Sequence, residues 1–397
     1  MTTTAHVDRF ARDHLPPRDQ WPELIFELPQ LRYPERLNIA AELLERAVRE
    51  GRGERLALLS PEGVRWTYAE LDARASRIAR VLVDELGVVP GNRVLLRGPN
   101  TPAMAACWFA VMKAGAIAVA TMPLLRAREL IDVVTKARVT HALCDSRLAA
   151  ELDLARAACP TLGTVAYFAT DAADGIEARA AARPAEFAAV DTAADDVAFI
   201  AFTSGTTGTP KGTMHFHRDA LAACDCWPPA MLKATADDLF TGSPPLAFTF
   251  GLGGLLLFPL RIGAATLLVE RPGPEALVAA IETHRATVLF TAPTSYRAMA
   301  QLAAGRDLAS LRKCVAAGEA LPAATRALWK RATGIEIIDG IGSTEMLHIF
   351  ISHPDDDARP GATGKVVPGY RACVMDDAGR PLPPGKVGRL AVKGPTG

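Results

Sequence analysis

Apolar residues recur at helical spacing from Leu37 to Arg49 and again from Tyr68 to Leu86, just after Trp66-Thr67, and both stretches predict amphipathic surface helices. Short β-rich runs follow at Arg93 to Leu96, Ala116 to Ala120 and Thr140 to Cys144, separated by helical stretches or Gly/Pro turns. Strands alternating with helices predict a mainly parallel sheet with helices on its faces. The alternation resumes at Val197 to Phe202 and continues through Ala265 to Val269, Thr287 to Phe290, Leu311 to Ala316 and Ile335 to Ile338. Between the two series, Ala172 to Asp196 is Ala-rich and acidic with little periodicity, which predicts a surface loop or mobile connector. From Tyr370 the pattern changes to short strands, Cys373 to Met375 and Arg389 to Lys393, with Pro381, Pro383 and Pro384 between them. The expectation is an α/β protein of two stacked α/β subdomains, 1–195 with an N-terminal extension and 196–365, and the start of a small β-subdomain at 366–397. The two halves are free to exchange segments.

Composition narrows the class. A chain of 397 residues is longer than one hydrophobic core supports, and 49% hydrophobic with 22% charged residues fits a globular enzyme rather than a disordered chain. Lys plus Arg equals Asp plus Glu at 44 each, so no global field gathers nucleic acid or anionic membrane, and any phosphate site must be local. The seven cysteines are odd in number and scattered, which argues against a disulfide framework and for a reducing cytoplasm. Cys224 and Cys226 lack a second Cys/His pair at zinc-like spacing and read as small buried residues. The segment 1–20 has no apolar region of the signal-peptide kind. Met104 to Leu125 is long enough to span a membrane, but Lys113 and Gly115 interrupt it and Pro123 closes it, so a buried helix followed by a buried strand is expected.

The sharpest local signal is Thr203-Ser204-Gly205-Thr206-Thr207-Gly208-Thr209-Pro210-Lys211-Gly212, directly after a predicted strand. Glycines let backbone N–H groups turn toward an anion, hydroxyls add donors, and a lysine adds mobile positive charge, so the chemistry is that of a polyphosphate loop. It departs from the Walker pattern, because Lys211 precedes Gly212 rather than Ser or Thr. Composition alone leaves a plain Gly/Thr-rich turn between strand and helix as an alternative.

The full string resembles the signature of the adenylate-forming superfamily: acyl-CoA synthetases, luciferases and the adenylation domains of peptide synthetases. Further segments match in the same order, so the resemblance covers about residues 40–397: Pro244 to Gly253, Ala317 to Pro322, Asp339 to Glu345 and Gly361 to Gly369. It implies the large N-terminal domain of that fold and an ATP site. Thr203, Ser204, Gly205, Thr206, Thr207 and Gly208 would serve the phosphates. Gly318, Glu319, Ala320, Asp339, Gly340, Ile341, Gly342 and Ser343 would serve the adenine side. Lys211, Thr344 and Glu345 would be catalytic, Thr344 contacting phosphates and Glu345 holding Mg²⁺, a hard ion suited to oxygen ligands. A lone Glu is more often a solvated carboxylate at a helix start, and only the surrounding motif assigns this one. Ile341 stands where the family usually has an aromatic residue against adenine.

The implied chemistry is attack of a carboxylate on the α-phosphorus of ATP, loss of pyrophosphate, and transfer of the acyl group to CoA. Positioning and charge neutralisation supply the rate, so no protein nucleophile is needed, and no serine sits in a Gly-x-Ser-x-Gly elbow. The family normally continues into a mobile C-terminal domain bearing a lysine that assists adenylation. Lys386 and Lys393 precede that region, and the turn-like ending Gly394-Pro395-Thr396-Gly397 gives the expectation of a truncated chain with impaired adenylation.

Gly342 to Phe350, with Met346-Leu347-His348 after the Thr-Glu pair, resembles benzoate and aminobenzoate CoA ligases; Phe10 to Pro17 and Asn92 to Asn100 resemble the 2-aminobenzoate branch. The implied acyl pocket is Thr249, Phe250, Ala317, Gly342, His348 and Ile349, with 2-aminobenzoate preferred and benzoate next. His348 would donate to the carboxylate or accept from an ortho amine; the alternative is a hydrogen-bonded helix histidine with no substrate contact. Two other functions stay open. A peptide-synthetase adenylation domain loading a carrier protein would usually place an acid within Leu246 to Phe250, where none stands. A non-catalytic acyl-adenylate-binding module is the other.

Overall fold

A computed structural model describes residues 3–203, 210–359 and 361–397. Its strands, in chain order, are β1 Leu56–Leu59, β2 Arg65–Thr67, β3 Arg93–Arg97, β4 Ile117–Thr121, β5 His141–Asp145, β6 Thr164–Phe168, β7 Val197–Thr203, β8 Lys211–Phe216 and β9 Leu239–Gly242. There follow β10 Ala265–Leu267, β11 Val288–Thr291, β12 Lys313–Ala316, β13 Ile337–Gly342, β14 Ile349–Ser352, β15 Lys365–Val366, β16 Arg371–Met375 and β17 Arg389–Lys393. They form a six-stranded sheet, β6-β5-β3-β4-β7-β8, a nine-stranded sheet, β15-β14-β13-β12-β11-β9-β10-β1-β2, and the hairpin β16-β17.

The central strands pair in parallel and are covered on both faces, which is why they read as unbroken apolar runs rather than as alternating ones. The buried helix and strand expected within Met104 to Leu125 are Pro102–Lys113 and β4. Thr101 caps that helix through the Met104 N–H, and Pro102 occupies its first turn. Thr67 and Glu70 close a capping box at the start of Tyr68–Arg80. Among the described residues no helix is long and apolar enough to cross a membrane. All seven cysteines are free and six are buried, and burial pushes the Cys226 thiol up to about 12.

The connector is a correction to the sequence reading. Ala172 to Asp196 contains the helix Ile176–Ala181, and its later part is tied down rather than loose. Val190 N–H donates to Lys113 O, Leu37 N–H to Thr192 O, and Ala194 N–H to Glu35 O. Alanines are small enough to be covered by such contacts without contributing any periodic apolar stripe. Chain order and sheet membership also diverge: β1 and β2 belong to the nine-stranded sheet, while β7 and β8 close the six-stranded one.

Candidate functional site

The segments singled out by the sequence leave the carboxyl ends of neighbouring strands, where ligands bind in open α/β sheets. Ser243 to Phe250 follows β9, Ala317 to Ala320 follows β12, and Ser343 to His348 joins β13 to its antiparallel neighbour β14. From the other sheet, Thr203 at the end of β7 faces Lys211 at the start of β8 in antiparallel register. The phosphate segment therefore joins two strands of a hairpin, not a strand and a helix as the alternative reading had it. Ser204, Gly205, Thr206, Thr207 and Gly208 lie outside the described residues; Lys211 is exposed.

The acyl segment is held by Asn100, whose Nδ2 donates to Pro244 O at 2.9 Å and whose Oδ1 accepts the Leu246 N–H at 2.8 Å. Gly251 cannot be replaced without moving backbone, because a Cβ there would stand 2.1 Å from the Pro245 carbonyl oxygen. Thr249 and Phe250 open the short helix Thr249–Leu252. Phe250 then meets His348, their ring centroids 5.6 Å apart. Trp227, Phe258 and Phe290 complete an aromatic surround of the imidazole at 5.6, 4.5 and 6.5 Å. Gly342 pairs with Ile349, and a Cβ on Gly342 would approach His348 O to 2.7 Å, so this position must stay side-chain-free for the strands to close. Ala317 stands one residue beyond the Ala316–Asp339 pairing, on the adjoining strand end.

His348 is buried, lies in a turn rather than a helix, and neither ring nitrogen makes a hydrogen bond of ordinary geometry, the Phe250 carbonyl being the nearest acceptor. Burial lowers its pKa to about 3, the nearby Phe250 carbonyl opposing this only in part. It is therefore neutral at pH 7, with one nitrogen a donor and the other an acceptor. Orphaned polar atoms in an apolar surround cost stability unless something fills them.

On the nucleotide side, Ile341 is 38% exposed and Gly318, Glu319 and Ala320 are exposed. Glu319 also accepts the Thr294 N–H at 2.9 Å, which ties its loop to the helix Pro293–Leu302. Asp339 is buried, takes the Gly340 N–H at 3.0 Å and has its pKa raised by burial, so its carboxyl serves the strand rather than a solvent-facing ligand. Ser343 Oγ accepts the Met346 N–H at 3.2 Å. Glu345 is exposed and makes no ion pair among the described residues, a free hard-oxygen donor beside Thr344. One such carboxylate together with phosphate oxygens fits Mg²⁺, which is commonly held that way. A crevice of about 540 Å³ opens between Leu124, Arg147, Pro245 and Arg271; Pro245 belongs to the acyl segment, and none of the residues assigned singly to the acyl, nucleotide or metal site lines it.

The residues that sequence reasoning missed are Trp227, Phe258, Phe290 and His215. Trp227 and Phe290 come from segments remote from any motif, and Phe258 stands shortly beyond the acyl segment that ends at Gly253. His215 shares the two-residue period of Lys211 and Thr213, a signal that becomes visible only once 211–216 is known to be a strand. Lys211→Ala is expected to weaken MgATP binding by about tenfold, the scale of one charge-assisted hydrogen bond, at an unchanged melting temperature because the side chain is exposed. Titration calorimetry checks it, and parental affinity would remove Lys211 from the phosphate site.

Comparison with known proteins follows the same outline. The sequence profile of the AMP-binding enzyme family matches residues 44–397. The benzoate–CoA ligase of Thauera aromatica is 34% identical over 93% of this chain and 70% of its own length. The crystal structure of the anthranilate CoA ligase AuaEII in complex with anthranoyl-AMP superposes with a TM-score of 0.86 at 32% identity, covering 93% of this chain and 72% of that one. The inhibitor-bound N-terminal domain of FACL13 from Mycobacterium tuberculosis gives a TM-score of 0.83 at 26% identity, over 90% of this chain and 89% of that one.

Proposed function

The chain belongs to the AMP-binding enzyme family, and from that membership we propose that it is an AMP-forming aryl-CoA ligase that activates 2-aminobenzoate ahead of benzoate. One observation carries the substrate class: a neutral, unpartnered histidine enclosed by Trp227, Phe250, Phe258 and Phe290. Such a surround favours a flat ring through stacked or edge contacts. The imidazole offers one donor, suited to a carboxylate or carbonyl oxygen, and one acceptor, suited to an ortho N–H. Benzoate fills only the first of these, which places it second. The relatives named for benzoate and anthranilate support the same class.

The proposed mechanism needs no covalent intermediate on the protein. Phe250, Gly342, His348 and Ile349 seat the ring and orient the carboxylate toward the α-phosphorus, while Lys211 and Thr344 balance the spreading phosphate charge. Glu345 would hold Mg²⁺, which when bound neutralises charge on the departing pyrophosphate. The thiolate of CoA then attacks the acyl carbon and AMP leaves.

Calorimetry with non-hydrolysable 2-aminobenzoyl, benzoyl and dodecanoyl sulfamoyl-adenosines tests the order. The first is expected to bind most tightly, the second about tenfold more weakly for one lost hydrogen bond, and the third most weakly of all. Tighter binding of the long-chain analogue than of either aromatic would overturn the proposal.

A further inference from the structure

We propose that His215 is a positioning residue for the nucleotide half of the site, its Nε2–H holding the Thr344 carbonyl and thereby the orientation of Thr344 and Glu345 toward the phosphates. The inference rests on the adenylation reading of those two residues. His215 stands on β8, on the face shared with Lys211 by the strand's two-residue period, and its Nε2 lies 2.8 Å from Thr344 O. A carbonyl oxygen can only accept, so Nε2 carries the proton and the tautomer is fixed. Nδ1 then has no hydrogen, and the facing Asp219 carboxylate oxygen is 3.9 Å away, beyond hydrogen-bond reach. That carboxyl is engaged elsewhere, accepting the Phe216 N–H at 2.9 Å. The imidazole plane is set by Phe199, at a centroid distance of 5.0 Å.

The turn it holds is one that needs holding. Leu347 has φ +68°, the left-handed region that a leucine rarely adopts, and such residues persist where surrounding contacts over-determine them. Thr344 O also accepts the Leu347 N–H at 3.1 Å, and Ser343 Oγ caps Met346 from within the turn. On the far side, Thr396 Oγ1 donates to Met346 O at 2.9 Å. The His215 bond is different in origin. It comes from the six-stranded sheet, from the strand that Lys211 begins, so it registers the Thr-Glu turn of one sheet against the phosphate-binding lysine of the other. Two groups that must grip one triphosphate are thereby held at a fixed separation.

The test separates positioning from general support. His215→Phe keeps a ring of similar shape and removes the donor; His215→Gln returns an amide N–H close to the Nε2 position. In His215→Phe, MgATP affinity is expected to fall about tenfold while 2-aminobenzoate affinity shifts by no more than about twofold, and His215→Gln is expected to recover most of the loss. Calorimetry with each ligand alone, beside thermal melts, reads both. Should the Phe variant fail to fold, His215→Asn, too short to reach Thr344, takes its place. Parental MgATP affinity in the donor-less variant, equal losses for acid and nucleotide, or a Gln variant no better than Phe would overturn the inference. A parent that binds the acid but no MgATP would instead remove the adenylation reading beneath it.

Discussion

Replacing His348 with phenylalanine is expected to stabilise the fold and to weaken binding of a 2-aminobenzoyl-adenylate analogue by about tenfold to a hundredfold. The two effects share a cause. Both imidazole nitrogens are buried without a well-formed hydrogen bond, and a buried polar group left so costs about 1–3 kcal/mol relative to a satisfied or apolar one. The replacement is slightly larger, and the site is tight: a Cβ on Gly253 would already stand 2.6 Å from the imidazole Cδ2. Overpacking of that kind costs about 1–3 kcal/mol, so relief of the two poorly paired nitrogens outweighs it by about 1–3 kcal/mol. The ligand loses more, because its carboxylate and ortho amine then face hydrocarbon. A thermal melt and a calorimetric titration of the same variant check both halves. Unchanged analogue affinity would make His348 a core residue without a substrate role.

Acidification is expected to destabilise the chain well above the pH at which surface carboxylates titrate. Burial lowers His215 to about 4 and His217 and His348 to about 3, all from an ordinary 6.5. In each case the folded state binds fewer protons than the unfolded one, so the stabilisation present above pH 6.5 is lost as pH falls toward the folded pKa. At pH 5 each histidine costs about 2 kcal/mol, or about 6 kcal/mol for the three. Asp219 acts in the opposite sense: burial raises it to about 7, so it is better accommodated protonated and stabilises the fold as pH falls from 7 toward 4. Its contribution of about 2 kcal/mol at pH 5 offsets only part of the loss. The net of about 4 kcal/mol is a large share of a typical folding stability of about 5–15 kcal/mol. Urea unfolding at pH 7.5, 6.5 and 5.0 reads the trend, and His348→Phe is expected to flatten it by about half, since about 2 of the net 4 kcal/mol disappears. Equal stability at pH 5.0 and 7.5 would refute the account.

Most of the covered strands were legible from the chain alone. The runs at 93–96, 116–120, 140–144, 265–269, 287–290, 311–316 and 335–338 correspond within a few residues to β3, β4, β5, β10, β11, β12 and β13. Their inner residues are apolar because helices cover both sides of a parallel sheet, while polar residues such as Arg93, Lys313 and Glu336 stand at or beside the strand starts. The strands that escaped notice include β2, β6, β8 and β15 at the sheet edges and the inner strands β1, β9 and β14. β8 begins Lys211-Gly212-Thr213 and mixes polar with apolar residues, and β14 begins directly beyond a turn of motif residues, so neither shows the run of a covered strand.

The acyl and nucleotide motifs were likewise readable, because glycines at 251 and 342 answer to backbone approach rather than to side-chain preference, and that demand is written into consecutive residues. What the sequence by itself determined was therefore most of the covered strands, the family to which the chain belongs, and the short segments that gather at the strand ends. Tertiary structure alone decided how those segments are bound to one another. Trp227, Phe258 and Phe290 lie far from His348 in sequence and surround it only when the sheets and their helices pack. His215 reaches Thr344 across 129 positions of chain because β8 closes one sheet beside the turn that ends a strand of the other. Contacts of that kind arise from packing between elements, and no local propensity or periodicity encodes which two elements will meet.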